Sequence, residues 1–199
     1  QTIKAIVAVA SLEGRNLSTM DYSNAFLQGD KIDVPNQLFA RVEGTALEER
    51  DPDTGEPLIA KLNGAWYGCV QAPNLWSSTQ VHYLVHEAKY RWKQAATDQC
   101  LFTHEFTRAD GTKGIIRMAT FVDDSLFDWA EQDREHFMQV KEELLKRFTG
   151  TFKEVAPGIV GIRITRTKGG GYKMDQEAYI DVALARFNRT NKPIRYAPS

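Results

Sequence analysis

The chain has little cysteine and none of it is placed for metal chemistry: Cys69 and Cys100 are the only two, far apart, with no ligand spacing between them. It has no apolar run long enough to span a bilayer and no leader-like segment at its start, so an intracellular, reducing location is expected. A strong net charge is missing as well. The balance of 25 Lys+Arg against 26 Asp+Glu gives −1 at pH 7, which argues against a uniformly basic nucleic-acid binder. Repeats and low-complexity tracts are absent. His82 and His86 share a predicted helix face at i and i+4, but no Glu-containing zinc signature accompanies them, and a solvated or core-edge role is expected. What remains is an ordinary globular composition, 199 residues at 42 % hydrophobic content, enough for one domain with a real core.

The near-neutral sum hides an asymmetry. Residues 1–140 carry 13 Lys+Arg against 20 Asp+Glu, or −7, whereas residues 141–199 carry 12 against 6, or +6. The basic end could attract a polyanion. A basic surface helix and hairpin with no ligand would have the same composition, so charge alone leaves both readings open.

Against this background Phe121-Val122-Asp123-Asp124-Ser125-Leu126-Phe127 is unusual, because two adjacent carboxylates interrupt a run of apolar, strand-forming residues. Gly114–Val122 reads as a half-buried strand and Ser125–Trp129 as another, which puts both Asp at a tight hairpin turn. A half-buried carboxylate pair repels itself and is desolvated, so it needs cations or strong donors. Mg²⁺ suits it, being held by one or two carboxylates plus substrate phosphates. An ordinary solvated turn would also accept Asp-Asp.

From the start of the chain, Ile3, Ile6, Val7, Ala10 and Leu12 give a helical period over Thr2–Arg15, closed by Gly14. Leu17–Tyr22 alternates as a strand ending at Asp21, and Ser23–Asp30 turns away. As a single residue, Asp21 reads first as a helix N-cap or turn Asp. Gln37–Val42 and Pro57–Leu62 read as strands around a charged tip at Glu48–Gly55. Pro73 opens a helix running to about Tyr90. Gln99–Phe106 and Gly114–Val122 form a hairpin with its tip at Arg108–Gly111. Glu131–Phe148 is an amphipathic helix with Phe137, Val140, Leu144, Leu145 and Phe148 on one face. Ile159–Thr165 and Tyr172–Met174 pair around Lys168–Gly171, Gln176–Phe187 is a last helix, and the tail with Pro193 and Pro198 is irregular. The order is not a repeating βαβ pattern. It predicts an α+β domain, a mainly antiparallel sheet with helices on one face.

Six blocks recur in a recognisable order: LSTMDYSNAFLQGD (17–30), LNGAWYGCVQAPNLW (62–76), DQCLF (98–102), FVDDSLF (121–127), IVGIRI (159–164) and YKMDQEAYIDVALARF (172–187). Together they resemble the reverse transcriptase, an RNA-directed DNA polymerase, of copia-type LTR retrotransposons, over nearly the whole chain. The resemblance implies a polymerase palm with partial fingers over about 1–155, and a primer-grip hairpin with the start of a thumb-like segment over about 156–199. It implies two Mg²⁺ ions, with Mn²⁺ as a substitute, a template-primer of RNA or DNA, and deoxynucleoside triphosphates. No membrane partner is implied. As a Gag-Pol segment it implies ribonuclease H and integrase domains elsewhere in a parent polyprotein, and a cytoplasmic, virus-like-particle location with a nuclear stage.

By the same resemblance Asp21, Asp123 and Asp124 match the catalytic carboxylates. Asp21 and Asp123 would bridge the metals, the carbonyl of Tyr22 would complete a shell, and Asp124 is the more dispensable. This suits two-metal chemistry, in which several carboxylates clamp ions that stabilise the attacking and leaving oxygens. Phe26 matches the aromatic that excludes a 2′-hydroxyl, although without the resemblance it reads first as a core Phe in an apolar turn. Tyr67, Gly68, Gln71 and Pro73 match the block contacting the incoming nucleotide and the template. Phe121 and Val122 fall at the primer end, and Gly161, Arg163, Arg166 and Lys168 in the primer grip. Lys153 is a candidate proton donor to pyrophosphate.

The family more often has Tyr before Val-Asp-Asp, so Phe121 removes a hydroxyl near the primer. Relative to the family, the 199 residues start partway through the fingers, and the basic strands that hold the triphosphate would precede them. An inactive or domesticated remnant serving as a nucleic-acid or protein-binding module is the alternative reading, and an unrelated Mg²⁺ phosphotransferase or nuclease a third that leaves five blocks unexplained.

Overall fold

A computed structural model describes residues 1–30, 38–41, 43–44 and 48–187. Its centre is a six-stranded, fully antiparallel sheet in the order β4-β5-β6-β7-β1-β8. The strands are β1 Asn16–Tyr22, β4 Lys93–Gln94, β5 Leu101–Thr107, β6 Lys113–Phe121, β7 Asp124–Trp129 and β8 Gly150–Lys153. A separate two-stranded pair, β2 Leu38–Arg41 with β3 Ile59–Leu62, matches the two predicted strands in part; Gln37 and Val42 lie outside the described residues. The predicted tip at Glu48–Gly55 is tied by Asp51, whose Oδ1 accepts the Asp53 and Thr54 amides at 3.0 and 2.8 Å.

The α+β expectation holds, but helices cover both faces of the sheet and not one. Helix α1, Thr2–Glu13, packs Ile6, Val7 and Ala10 on Leu17, Ala119 and Leu126. Helices α2, Ala72–His82, and α3, Arg134–Arg147, cover the opposite face, where Trp76, Phe137, Val140 and Leu144 meet Met20, Tyr22, Met118 and Phe127. Leu126 and Phe127 point into different layers, as successive strand residues must. The alternation expected over Leu17–Tyr22 gives way to a run in which Leu17 through Met20 are all buried, because both faces are covered. Leu12, assigned to the apolar face of α1, is 87 % exposed, and the helix closes at Gly14 with φ +66.

Other boundaries shift for local reasons. After His82 the α2 chain continues as a π-helical turn, Tyr83–Glu87, and stops short of Tyr90. His82 and His86 are exposed, and His82 pairs with Glu87 at 3.1 Å, in line with the solvated role expected. Glu131–Asp133 is a 3₁₀ turn that leads into α3. The predicted strand Ile159–Thr165 is two strands, β9 Gly158–Ile159 and β10 Ile162–Arg166, folded back at Val160 and Gly161. Both have positive φ, +49 and +71, the paired left-handed geometry of a tight hairpin. Strand β11, Tyr172–Asp175, completes this second sheet on the α1 side, and α4, Glu177–Arg186, follows with no buried residue. Pro193 and Pro198 lie outside the described residues.

Candidate active site

Strands β1 and β7 are neighbours near one end of the sheet, and their register sets Asp21 directly opposite Asp124. Directly opposed residues share a face with Cβ atoms about 4.5–5.5 Å apart. Sequence reading puts both acids in the turn. The structure leaves only Val122 and Asp123 there and makes Asp124 the first residue of β7, paired with Phe121 as well. Two turn residues suffice for this hairpin, so the second carboxylate is held by strand pairing while Asp123 stays at the tip.

Asp21 and Asp123 are exposed and Asp124 is half-buried. Burial pushes the Asp124 carboxyl above the usual carboxylate range, and the charges of Asp123 and Asp21 push it the same way; the Val160 N–H and the Lys153 ammonium oppose them. Lys153 lies on β8, across from Thr19, and shares with Asp21 and Asp124 a cavity of about 330 Å³ walled by Thr151, Pro157 and Gly158. Strand β8 approaches β1 so closely that a Cβ at Gly150 would stand 2.5 Å from the Asp21 carbonyl oxygen. A larger cavity, about 490 Å³, lies between the β5–β6 tip and α3 around Arg108, Asp133 and His136. The chemistry-bearing carboxylates are at the smaller one.

Oxygen-only donors suit a hard divalent cation. The crowding registered at Asp124 is what such a charge would relieve, so the donor set fits. The side chains as they stand do not form a finished cage: among the described residues no three His, Cys, Asp or Glu groups are close enough together to hold an ion. The ring of Tyr22 points to the opposite face, into the core, where burial pushes its phenol up to about 12, leaving its backbone carbonyl as the only group it could offer at the carboxylate rim.

The structure brings together part of the block expected to contact the nucleotide. Phe26, in the 3₁₀ turn Ala25–Gln28, sits at the edge of the core with its ring 5.1 Å from that of Tyr67. Gly68 has φ +95 with open space where a Cβ would be, so its conformation and not crowding calls for glycine. Gln71 is the N-cap of α2 and Pro73 lies in its first turn, both exposed. Phe121 and Val122 are 51 % and 41 % exposed on the turn.

The cations expected to grip a primer are less free than the sequence implies. Arg163 is engaged by Asp175 at 2.9 Å and by Glu177, and Arg166 donates to Asn16 Oδ1 at 2.7 Å with its guanidinium over the Tyr172 ring. Lys168 is exposed beyond the end of β10, and Gly161 forms the β9–β10 turn. Three participants were missed: the Val160 amide at Asp124, Thr151 opposite Asp21, and Trp76, whose indole N–H donates to the Val122 carbonyl at 2.6 Å. None has a local signal; only the register and the placement of α2 bring them to the turn.

The chain is 25 % identical over 198 residues to the retrovirus-related Pol polyprotein from transposon TNT 1-94 of Nicotiana tabacum, covering 97 % of this chain and 14 % of that protein. It is 27 % identical over 194 residues to the retrovirus-related Pol polyprotein from transposon RE1 of Arabidopsis thaliana, covering 97 % of this chain and 12 % of the relative. The chain thus spans about one seventh or less of each relative's length. The family described as reverse transcriptase (RNA-dependent DNA polymerase) matches residues 1–199, the whole length, and the chain belongs to that family.

Proposed function

We propose that this domain carries out RNA-directed DNA synthesis, adding deoxynucleotides to a primer 3′-hydroxyl within a retrotransposon Pol polyprotein. The observation that carries this reading is the pairing of Asp21 with Asp124 on adjacent strands, with Asp123 in the connecting turn and Lys153 beside them. Asp21, Asp123 and Asp124, with the Tyr22 carbonyl, would hold Mg²⁺. Bound there, the ions supply charge neutralisation and Lewis-acid polarisation at the attacking and leaving oxygens.

The chain's own groups do the rest. Phe26, backed by Tyr67, presents a ring edge that excludes a 2′-hydroxyl by shape. Gly68, Gln71 and Pro73, at the start of α2, line the approach of nucleotide and template. Phe121 and Val122 form the exposed apolar shelf for the primer end. Lys153, which lines the same cavity as Asp21 and Asp124, would give a proton to departing pyrophosphate. Lys168, with Arg163 and Arg166 once they exchange their internal partners for phosphate, would grip the primer near Gly161. Ribonuclease H and integrase domains of a parent polyprotein are the expected neighbours.

Primer extension on an RNA template with Mg²⁺ and deoxynucleotides tests this, comparing the chain with Asp123→Asn. Extension that the substitution lowers by about 10³-fold or more supports the reading, since removing a preorganised charge-stabilising group costs on that order. Extension unaffected by the substitution rejects this carboxylate set.

A further inference from the structure

The turn that carries Asp123 is not self-supporting. Val122 has φ +55, a left-handed conformation that a β-branched residue resists. Its carbonyl and the next are both tied to other elements. The Asp123 carbonyl accepts the Tyr22 amide at 2.7 Å, and the Val122 carbonyl accepts the Trp76 indole N–H at 2.6 Å. The first bond ties the turn to the end of β1, one residue past the β1–β7 ladder. The second comes from α2, across the core.

Trp76 is well suited to this. It is 1 % exposed, and its ring is wedged edge-on between Tyr22 and Phe148 at centroid distances of 5.4 and 5.2 Å. Its N–H therefore has a fixed direction, and it is the indole's single polar group. Van der Waals filling of that space needs only an aromatic ring; an N–H directed at a strained carbonyl is a further feature. Helix α2 has Gln71 as its N-cap and Pro73 in its first turn, so one element carries both the N-terminus proposed to meet the nucleotide and the bond to the carboxylate turn.

We propose that Trp76 is a positioning residue for the carboxylates: its indole N–H fixes the Val122 carbonyl, and through the strained turn the placement of Asp123 and Asp124. This rests on the reading of Asp21, Asp123 and Asp124 as a metal site. Trp76→Phe keeps the ring and removes the donor. The variant is expected to stay folded, to exchange amide hydrogens at 121–125 about tenfold faster than the parent with β5 unchanged, and to bind Mn²⁺ about five- to tenfold more weakly, as loss of one buried hydrogen bond would give. Mn²⁺ affinity is read from the free-ion paramagnetic resonance signal. A folded variant with unchanged exchange at the turn, or with exchange raised evenly through the sheet, overturns the proposal. Unchanged Mn²⁺ affinity in a variant with a loosened turn overturns it as well.

If the parent chain binds no Mn²⁺, the metal-site reading fails, while the exchange measurement still decides whether Trp76 holds the turn. Should Trp76→Phe fail to fold, the parent chain labelled with ¹⁵N-tryptophan gives the answer. The Trp76 indole proton is expected to exchange with solvent at least tenfold more slowly than that of the 51 % exposed Trp66, and its resonance to shift when Mg²⁺ is added. An indole proton as fast as that of Trp66, or a resonance indifferent to Mg²⁺ in a chain that binds Mn²⁺, overturns it.

Discussion

Two titrating sites pull the stability of this domain in opposite directions. His104 Nδ1 lies 2.8 Å from the Arg91 carbonyl, which can only accept, so Nδ1 carries the hydrogen and Nε2 is free to accept one from His136 Nε2 at 2.9 Å. The two rings are nearly coplanar, at 9°, with centroids 5.2 Å apart, as an edge-to-edge bond requires. Burial depresses both imidazoles below the ordinary histidine range. The unfolded chain takes up protons at these positions near pH ~6.5 while the folded chain still refuses them, so their contribution is complete above that pH and declines as pH falls. Thermal melts are expected to drop by about 3 °C between pH 7.5 and 5.5, the effect of about 1 kcal/mol in a domain of this size, and by less in His136→Gln. Asp124 behaves oppositely. Its raised carboxyl means that ionisation costs the folded state stability at neutral pH, a cost that disappears as pH falls through the folded value. Asp124→Asn should therefore melt a few degrees higher than the parent without divalent ions, and should lose the parent's rise in melting temperature on adding Mg²⁺. A lower melt for Asp124→Asn at pH 7 would mean that its charge is already offset.

At the scale of elements, α1 is attached to the sheet by charge as well as by packing. Asp128, wholly buried on β7, is bound by Arg15 from the end of α1 and by Arg117 from β6 at 2.6 Å, and Glu13 reaches Arg117 at 3.3 Å. Removing the carboxylate leaves two guanidinium groups facing each other. Asp128→Ala is expected to destabilise by about 3–5 kcal/mol, read from urea unfolding, with the loss relieved when Arg117→Met is added. How far such elements can be read from sequence depends on what fixes them. The periods of α1 and α3, the Arg108–Gly111 turn and the strands flanking Val122-Asp123 are set by local patterns and appear where the sequence indicates. The fold-back at Val160-Gly161 does not show itself, because a valine with φ +49 carries no turn signal and is held by pairing across β9 and β10. Strand β4 is too short to leave a pattern, and cover on both faces of β1 comes from helices distant in sequence. The site divides in the same way. Its three carboxylates stand out by residue type, whereas Trp76 and the Val160 amide become visible only once the chain is folded.

For the whole molecule, the lopsided charge has a measurable consequence. The last 59 residues carry the excess of cations, yet Arg163 and Arg166 are engaged internally, so phosphate binding there competes with Asp175, Glu177 and Asn16. Affinity for a template-primer should fall steeply with salt, and Lys168→Ala should reduce the log–log slope by about 1, uniformly across sequences. Arg163→Ala should change it less. A flat salt response would remove the basic end from the binding surface.

The central sheet also ends in its shortest strands, β4 with two residues on one side and β8 with four on the other. An exposed sheet edge is a row of unpaired backbone donors and acceptors that another chain can extend, and brevity is one of the ways such edges are blunted. On the β8 side a four-residue edge whose Gly150 is pressed against its neighbour gives a second copy little to zip onto, whereas β4 covers only Phe102 and Thr103 of β5 on the other side. The same brevity that makes these edge strands hard to read from the sequence thereby limits edge-to-edge association of the central sheet.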